Sequence, residues 1–380
     1  MNAQKQISRR GFLRAAGLIA AGTVAGTSVA KTLSSKKTKE IKKEKSDEKQ
    51  KTTGKLQLRK LGKTDLKLSV VSVGTGGGQS PQVLKYAMKN GINFFHTSTG
   101  YAGGKAIKNV AKAIKGQQDK VIIGLKITWA PDDDEKMDAA LKILGVDSVD
   151  IAFFNLHKVS DVKKDKYKKG AERWKKMGKF KYIGLTTHGE MKECMEEALK
   201  QGFYDAFMPS YNLTMQKDCA NVLAEAEKQG VGIILMKTKR QMNSENYWQS
   251  VPKYLSIPAV TTINKTLKTF ADINKMIAAS KEKLTPNEEK EIEKIAAMGM
   301  TGHCIMCGTC SKNCPQGVPV ADMMRCADYY MADNEYYEVA RETYAQLDIT
   351  KCTDCGKCDQ ICPNNVPVKH HKNKLKTLFA

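Results

Sequence analysis

Several signatures that would place this 380-residue chain at once are missing. No Gly-x-Gly-x-x-Gly follows the first β-rich segment, where Gly74-Thr75-Gly76-Gly77-Gly78 has the glycines without the spacing. That ranks a doubly wound dinucleotide-binding sheet behind other α/β architectures, and no fingerprint elsewhere offers a flavin site. The apolar stretch Ala15–Ala30 has 16 weakly apolar residues, short of the ~20 that span a bilayer. No Cys follows Ala30, which removes a lipid anchor at that position. Residues 31–55 have no aromatic side chain and almost no apolar one. They cannot bury enough surface to offset the entropy of ordering, and they read as a disordered Lys-rich linker.

Acidic residues are scarce where basic ones gather. The formal net charge is +23. Residues 1–30 hold Lys5, Arg9, Arg10 and Arg14 against no acid, and residues 31–55 hold ten Lys against four acids. The remaining +13 is spread over residues 56–380 without a stripe. No nucleic-acid motif accompanies it, so nucleic acid is not an expected partner.

Cysteine, by contrast, is plentiful and ordered. Eight of the eleven cysteines fall in two copies of C-x₂-C-x₂-C-x₃-C-P. Cys304, Cys307, Cys310 and Cys314 precede Pro315; Cys352, Cys355, Cys358 and Cys362 precede Pro363. This is the ligand run of a bacterial-type ferredoxin, in which the fourth Cys of each run crosses to the other cluster. Cys304, Cys307, Cys310 and Cys362 are therefore expected to hold one [4Fe–4S] cluster, and Cys352, Cys355, Cys358 and Cys314 a second. Structural zinc also uses C-x₂-C pairs, but four ligands complete it and leave the third Cys and the Pro without a purpose. Of the remaining three, Cys194 and Cys219 sit on apolar faces of predicted helices and read as small buried hydrophobes. Electron transfer is the first functional implication.

The N-terminus carries Ser8-Arg9-Arg10-Gly11-Phe12-Leu13-Arg14 before the apolar stretch, and Ser28-Val29-Ala30 ends it with small residues. This resembles a twin-arginine (Tat) export signal over residues 1–30. Cleavage after Ala30 would leave no stable membrane span; an uncleaved leader would tether the protein. Clusters are assembled in the reducing cytoplasm, and the twin-arginine translocase carries folded cargo. The expected location is therefore periplasmic or otherwise exported.

From Leu56 the pattern alternates strand and helix. β-rich runs at Leu68–Val73, Asn93–Thr97, Val121–Lys126, Val149–Phe154, Tyr182–Thr186, Ala206–Pro209, Gly232–Met236 and Ala259–Thr262 are separated by helical patterns. Eight such units predict a (β/α)₈ TIM barrel over residues 56–284. Leu56–Leu61 and Leu66–Leu68 form a small hairpin around Gly62-Lys63-Thr64-Asp65 that plugs its floor. Residues 285–380 make a small α-helical two-cluster ferredoxin domain. It opens on a connecting helix over Thr285–Met300, and no Gly or Pro interrupts Ala321–Leu347. Tyr329, Tyr330, Tyr336, Tyr337 and Tyr344 in or beside that insert read as core or cluster shielding.

Barrel chemistry sits at the C-terminal ends of strands. The second strand ends near His96 and Tyr101, the third in Lys126, and the fourth is followed by His157. A Lys beside a phenol lowers its pKa and favours proton donation to a carbonyl, while a His orients the oxygen or relays the proton. Loops after the seventh and eighth strands commonly hold phosphates; they carry Lys237, Thr238, Lys239 and Arg240, then Asn264, Lys265 and Thr266.

These segments resemble the aldo-keto reductase family, in its bacterial branch with a twin-arginine signal and a C-terminal ferredoxin domain. LRKLGKTDLKLSVVSVGTGGG is similar to that family's first hairpin and strand, GINFFHTSTGYAGG to its catalytic-Tyr segment, VIIGLKI to its Lys strand and VDIAFFNLHKV to its His strand. The resemblance implies Tyr101, Lys126 and His157 as catalytic residues. His96 stands where the family has an Asp. The resemblance also implies NADP, with Lys265 on the 2′-phosphate and Asn274 in place of the family's Asn. The expected function is carbonyl or alcohol oxidoreduction on a small-molecule substrate, coupled through two clusters to a redox partner protein. The alternative is a non-catalytic electron-transfer or docking subunit with a degenerate barrel.

Overall fold

The computed structural model describes residues 56–239, 244–298, 302–332 and 337–379. The expected leader, the linker, Arg240 and Tyr336 lie outside them. Among the described residues no helix is long and apolar enough to cross a membrane.

A two-stranded antiparallel hairpin, β1 (Leu58–Lys60) with β2 (Lys67–Ser69), precedes eight parallel strands: β3 (Val71–Gly74), β4 (Phe94–Thr97), β5 (Ile122–Ile127), β6 (Val149–Asn155), β7 (Phe180–Thr187), β8 (Ala206–Pro209), β9 (Gly232–Met236) and β10 (Val260–Lys265). β10 pairs with β3 and closes the barrel. Helices follow the strands around its outside. The sequence places one strand over Leu68–Val73; the structure splits it. Ser69 Oγ donates to the Val71 carbonyl and Val70 N to that of Gln57, so the chain leaves the hairpin before entering the barrel. The helical stretch after β6 is likewise divided, into Val159–Val162 and Asp165–Lys176, because Lys164 is extended.

The hairpin does plug the floor. Leu61, Leu66 and Leu68 share an apolar cluster with Phe94, Ile151, Phe153, Ala206, Met208 and Ile234 inside the barrel. Close backbone approach requires glycine there. Gly62 has φ +50°, and a Cβ on it would lie 2.2 Å from the Gly230 carbonyl oxygen. Higher up, Gly124 and Gly184 leave the room that the Phe94 and Phe153 rings fill.

The period of two along a strand decides what reaches the mouth. Phe94 belongs to the inner cluster, so His96 two residues later also points inward. The same step carries β5 from Ile122 through Gly124 to Lys126, and β6 from Ile151 through Phe153 to Asn155 and on to His157. Apolar residues thus fill the floor, and polar ones top these three strands.

Past the connecting helix Pro286–Met298, four short or medium helices carry the cysteine motifs and the insert, and the helix Val368–Phe379 ends the described chain. Val320–Ala332 and Tyr337–Ala345 supply the insert. Their small core joins Val318, Met323, Met324, Ala327, Ala340 and Leu375. Tyr330, Tyr337 and Tyr344 group around Phe379.

Candidate active site and cluster centres

The barrel mouth gathers all four expected groups. His96 is buried, its ring centroid 6.0 Å from that of Tyr101 and 5.5 Å from that of Phe153. Tyr101 opens a short 3₁₀ turn, Tyr101–Gly104, in which Ala102 and Gly103 take left-handed backbone angles. Lys126 Nζ lies 5.3 Å from the centre of the Tyr101 ring. His157 is clamped at both nitrogens: Asn155 Nδ2 is 3.0 Å from its Nε2, and the His188 backbone N–H donates to its Nδ1 at 3.0 Å.

Burial and like charges set the ionisation of this mouth. Desolvation, then the Lys126 ammonium, pushes His96 down to about 3, so it is neutral at physiological pH. Desolvation, then the Arg325 guanidinium, pushes Lys126 down to about 8. His157 and His188 both fall well below the usual imidazole range, chiefly through burial and then through neighbouring cations. Among the described residues two buried imidazole nitrogens, His96 Nε2 and His188 Nδ1, have no hydrogen-bond partner.

His188 follows the end of β7, 5.3 Å from His157 between ring centres. Sequence reasoning used the strand-end rule for the second to fourth strands and passed over this one, where the same rule finds it. Arg325 and Tyr329 were missed for a different reason. They come from the helix Val320–Ala332 of the C-terminal region, and only the fold brings that helix to the barrel. There the Lys237 ammonium, after β9, sits 3.5 Å from the centre of the Tyr329 ring. A second seam is backbone: the Glu190 N–H donates to the Met306 carbonyl at 3.1 Å, and Lys312 pairs with Glu190 and Glu193 at 3.8 and 3.7 Å. The first cysteine run therefore rests on the loop beside His157 and His188.

The phosphate-loop candidates divide. Thr238 is buried, its Oγ1 3.1 Å from the Tyr247 hydroxyl. Asn264 is buried among Ser72, Gly74 and Met208. Lys239 is half-buried, and Lys265 Nζ lies 5.2 Å from the Tyr247 ring centre. Asn274 accepts from the Tyr86 hydroxyl at 2.9 Å, away from these loops.

The cysteines assemble as two sets of four. One cavity is lined by Cys304, Cys307, Cys310 and Cys362, and another by Cys314, Cys352, Cys355 and Cys358. Each cavity takes three cysteines of one run and the fourth of the other. No group of three or more His, Cys, Asp or Glu among the described residues could hold a single metal ion. Four thiols around one cavity suit a cubane, whose thiolates stand around a body. Thiolate-directed donors are present too: Met306 N reaches Cys304 Sγ, and Val366 N reaches Cys362 Sγ, each at 3.4 Å. The donor set fits an iron–sulfur cluster in each cavity.

Known proteins bear on both halves. Residues 78–247 match the aldo/keto reductase family, and residues 300–366 match the 4Fe-4S dicluster domain. The holo form of an aldo-keto reductase from Bacillus halodurans superposes with a TM-score of 0.56 at 17% identity, over 63% of this chain and 96% of that one. A thermostable aldo-keto reductase in complex with the inhibitor epalrestat gives 0.54 at 20%, over 63% and 100%. At such identity the likeness is one of fold. A protein of Arabidopsis thaliana described as a probable voltage-gated potassium channel subunit beta is 31% identical, over 26% of this chain and 37% of its own length. The barrel thus contains a match to the aldo/keto reductase family, and the helical C-terminal region a match to the 4Fe–4S dicluster domain.

Proposed function

We propose that the barrel interconverts a carbonyl and an alcohol, and that two [4Fe–4S] clusters link this chemistry to a redox partner protein. The observation that carries the reading is the convergence of Tyr101, Lys126 and His157 from three neighbouring strands, under a cap supplied by the cluster domain. Tyr101 is the proton donor to the carbonyl oxygen. Lys126, still largely charged at neutral pH, stabilises the phenolate that donation leaves behind. His157, held neutral and clamped by Asn155 and the His188 backbone, orients the substrate oxygen. NADP, when bound, supplies or accepts hydride, with Lys239 and Lys265 as the basic contacts; the clusters supply single-electron transfer. Export through the twin-arginine translocase to the periplasm completes the reading, and it places the partner outside the cytoplasm.

Tyr101→Phe is expected to lower turnover about 10²- to 10⁴-fold, the usual worth of a positioned acid, with iron content unchanged. The assay is a panel of aldehydes, ketones and alcohols with an artificial electron carrier, on anaerobically purified protein. Turnover in Tyr101→Phe equal to wild type would remove the phenol from the chemistry. His96 favours a second reading, a docking body for electron transfer without turnover, because a neutral imidazole stands where the family has an Asp. Wild-type inactivity on the whole panel, with eight irons per chain present, would leave that reading standing.

A further inference from the structure

The helix Val320–Ala332 brings its Arg325–Tyr329 face to the loop after β9. Arg325 and Tyr329 are four residues apart and share a helix face. The Tyr329 ring packs on the Lys237 ammonium at 3.5 Å, which fixes that face against the loop after β9. The Arg325 side chain is only 12% exposed. Its one polar partner among the described residues is Asp322 on the same helix, Oδ1 to Nη2 at 3.2 Å. Guanidinium has five N–H donors in a planar fork that matches a carboxylate, and donors left unmade away from water are costly. Lys126, His157 and His188 all feel the Arg325 charge. The charges acting on the two histidines are those of lysines, Arg325 and, for His188, His157. His96 Nε2 and His188 Nδ1 lie in the same mouth, buried and without a partner among the described residues. Cations collected over unspent polar atoms are the chemistry of an anion site.

We propose that the substrate is an oxo or hydroxy acid, its carboxylate gripped by Arg325 from the cluster domain while its carbonyl or hydroxyl faces Tyr101. The proposal rests on the reductase reading and narrows it. It makes Arg325 a specificity-determining residue for the barrel, although the residue belongs to the other domain. The rival source of negative charge is the pyrophosphate of a nicotinamide dinucleotide.

Isothermal titration of the full chain, purified anaerobically with its iron, separates the two. The probes are phenylglyoxylate, its neutral amide, and NADP. Wild type is expected to bind the acid more tightly than the amide. Arg325→Gln is expected to weaken the acid roughly ten- to a hundredfold, the worth of a charge-assisted contact, and to leave the amide and NADP unchanged. Arg325→Lys, which keeps the charge and loses the fork, should fall between them. No preference for the acid in wild type, equal loss of acid and amide, or a loss confined to NADP would each overturn the proposal. Binding is read without turnover, so this result stands apart from that of Tyr101→Phe.

Discussion

The barrel and the cluster domain bury themselves by different means. The barrel has a largely apolar interior, from the Leu61 plug through Phe94 and Phe153, with Ser72 and Thr262 hydrogen-bonded to each other within it and the candidate catalytic groups at the strand ends. The cluster domain has a short list of buried residues, mostly Val, Met and Ala, with Cys304, Cys310, Cys314, Cys352, Cys358 and Cys362 half-buried against it. A unit that small seldom holds itself together on apolar area alone, and metal ligation then contributes directly to folding. Tyr101, Lys126 and His157 are consequently fixed by backbone that does not depend on iron. Arg325 and Tyr329, which close the same mouth, are fixed by helices that do. One site is built from a metal-independent half and a metal-dependent half.

Removing iron breaks this comparison most sharply. Chelation under anaerobic conditions is expected to abolish helical order over residues 302–379 while the barrel persists. Limited proteolysis would then cut throughout the C-terminal region and leave a fragment of the barrel's size. Equal susceptibility of both regions would mean that the two are one cooperative unit. The converse lesion is Gly62→Ala. The left-handed backbone and the 2.2 Å approach to the Gly230 carbonyl leave no place for a methyl group. The expected cost is about 2–3 kcal/mol, combining strain and overpacking. It should show as a lower denaturation midpoint for the barrel with iron per chain unchanged.

What the sequence revealed follows the same division. The (β/α)₈ barrel was legible because eight β-rich runs alternate with helical patterns, and the runs Ala206–Pro209 and Gly232–Met236 match β8 and β9 to the residue. The dicluster domain was legible because covalent ligation imposes fixed spacing, and spacing is what a sequence displays. The cap was not. Nothing local distinguishes Arg325 from any other basic residue on a helix; its meaning comes from Tyr329 on the same helix face, which meets Lys237 on a loop remote in sequence. The phosphate loops misled in part for a related reason. Thr238 and Asn264 look like surface polar residues in sequence, yet the structure ties one to Tyr247 and the other to Ser72 inside the core.

The smallest expected effect tests which half governs the ionisation of Lys126. Burial and then Arg325 hold it at about 8, and no carboxylate is among the causes acting on it. A reaction that needs the charged ammonium should therefore lose rate as pH rises through about 8. His96→Asp restores the carboxylate that the family has at this place. An opposite charge beside the ammonium favours its charged form, so the folded pKa rises and the alkaline limb moves upward. A shift of about one unit corresponds to ~1.4 kcal/mol of added interaction. Arg325→Gln removes a like charge and should move the limb the same way by less, since desolvation is the larger cause. Profiles of kcat/KM against pH for wild type and both variants decide the order. A larger shift from Arg325→Gln than from His96→Asp would put the control of Lys126 in the cap rather than in the barrel, and an unmoved limb in both would mean that another group titrates there.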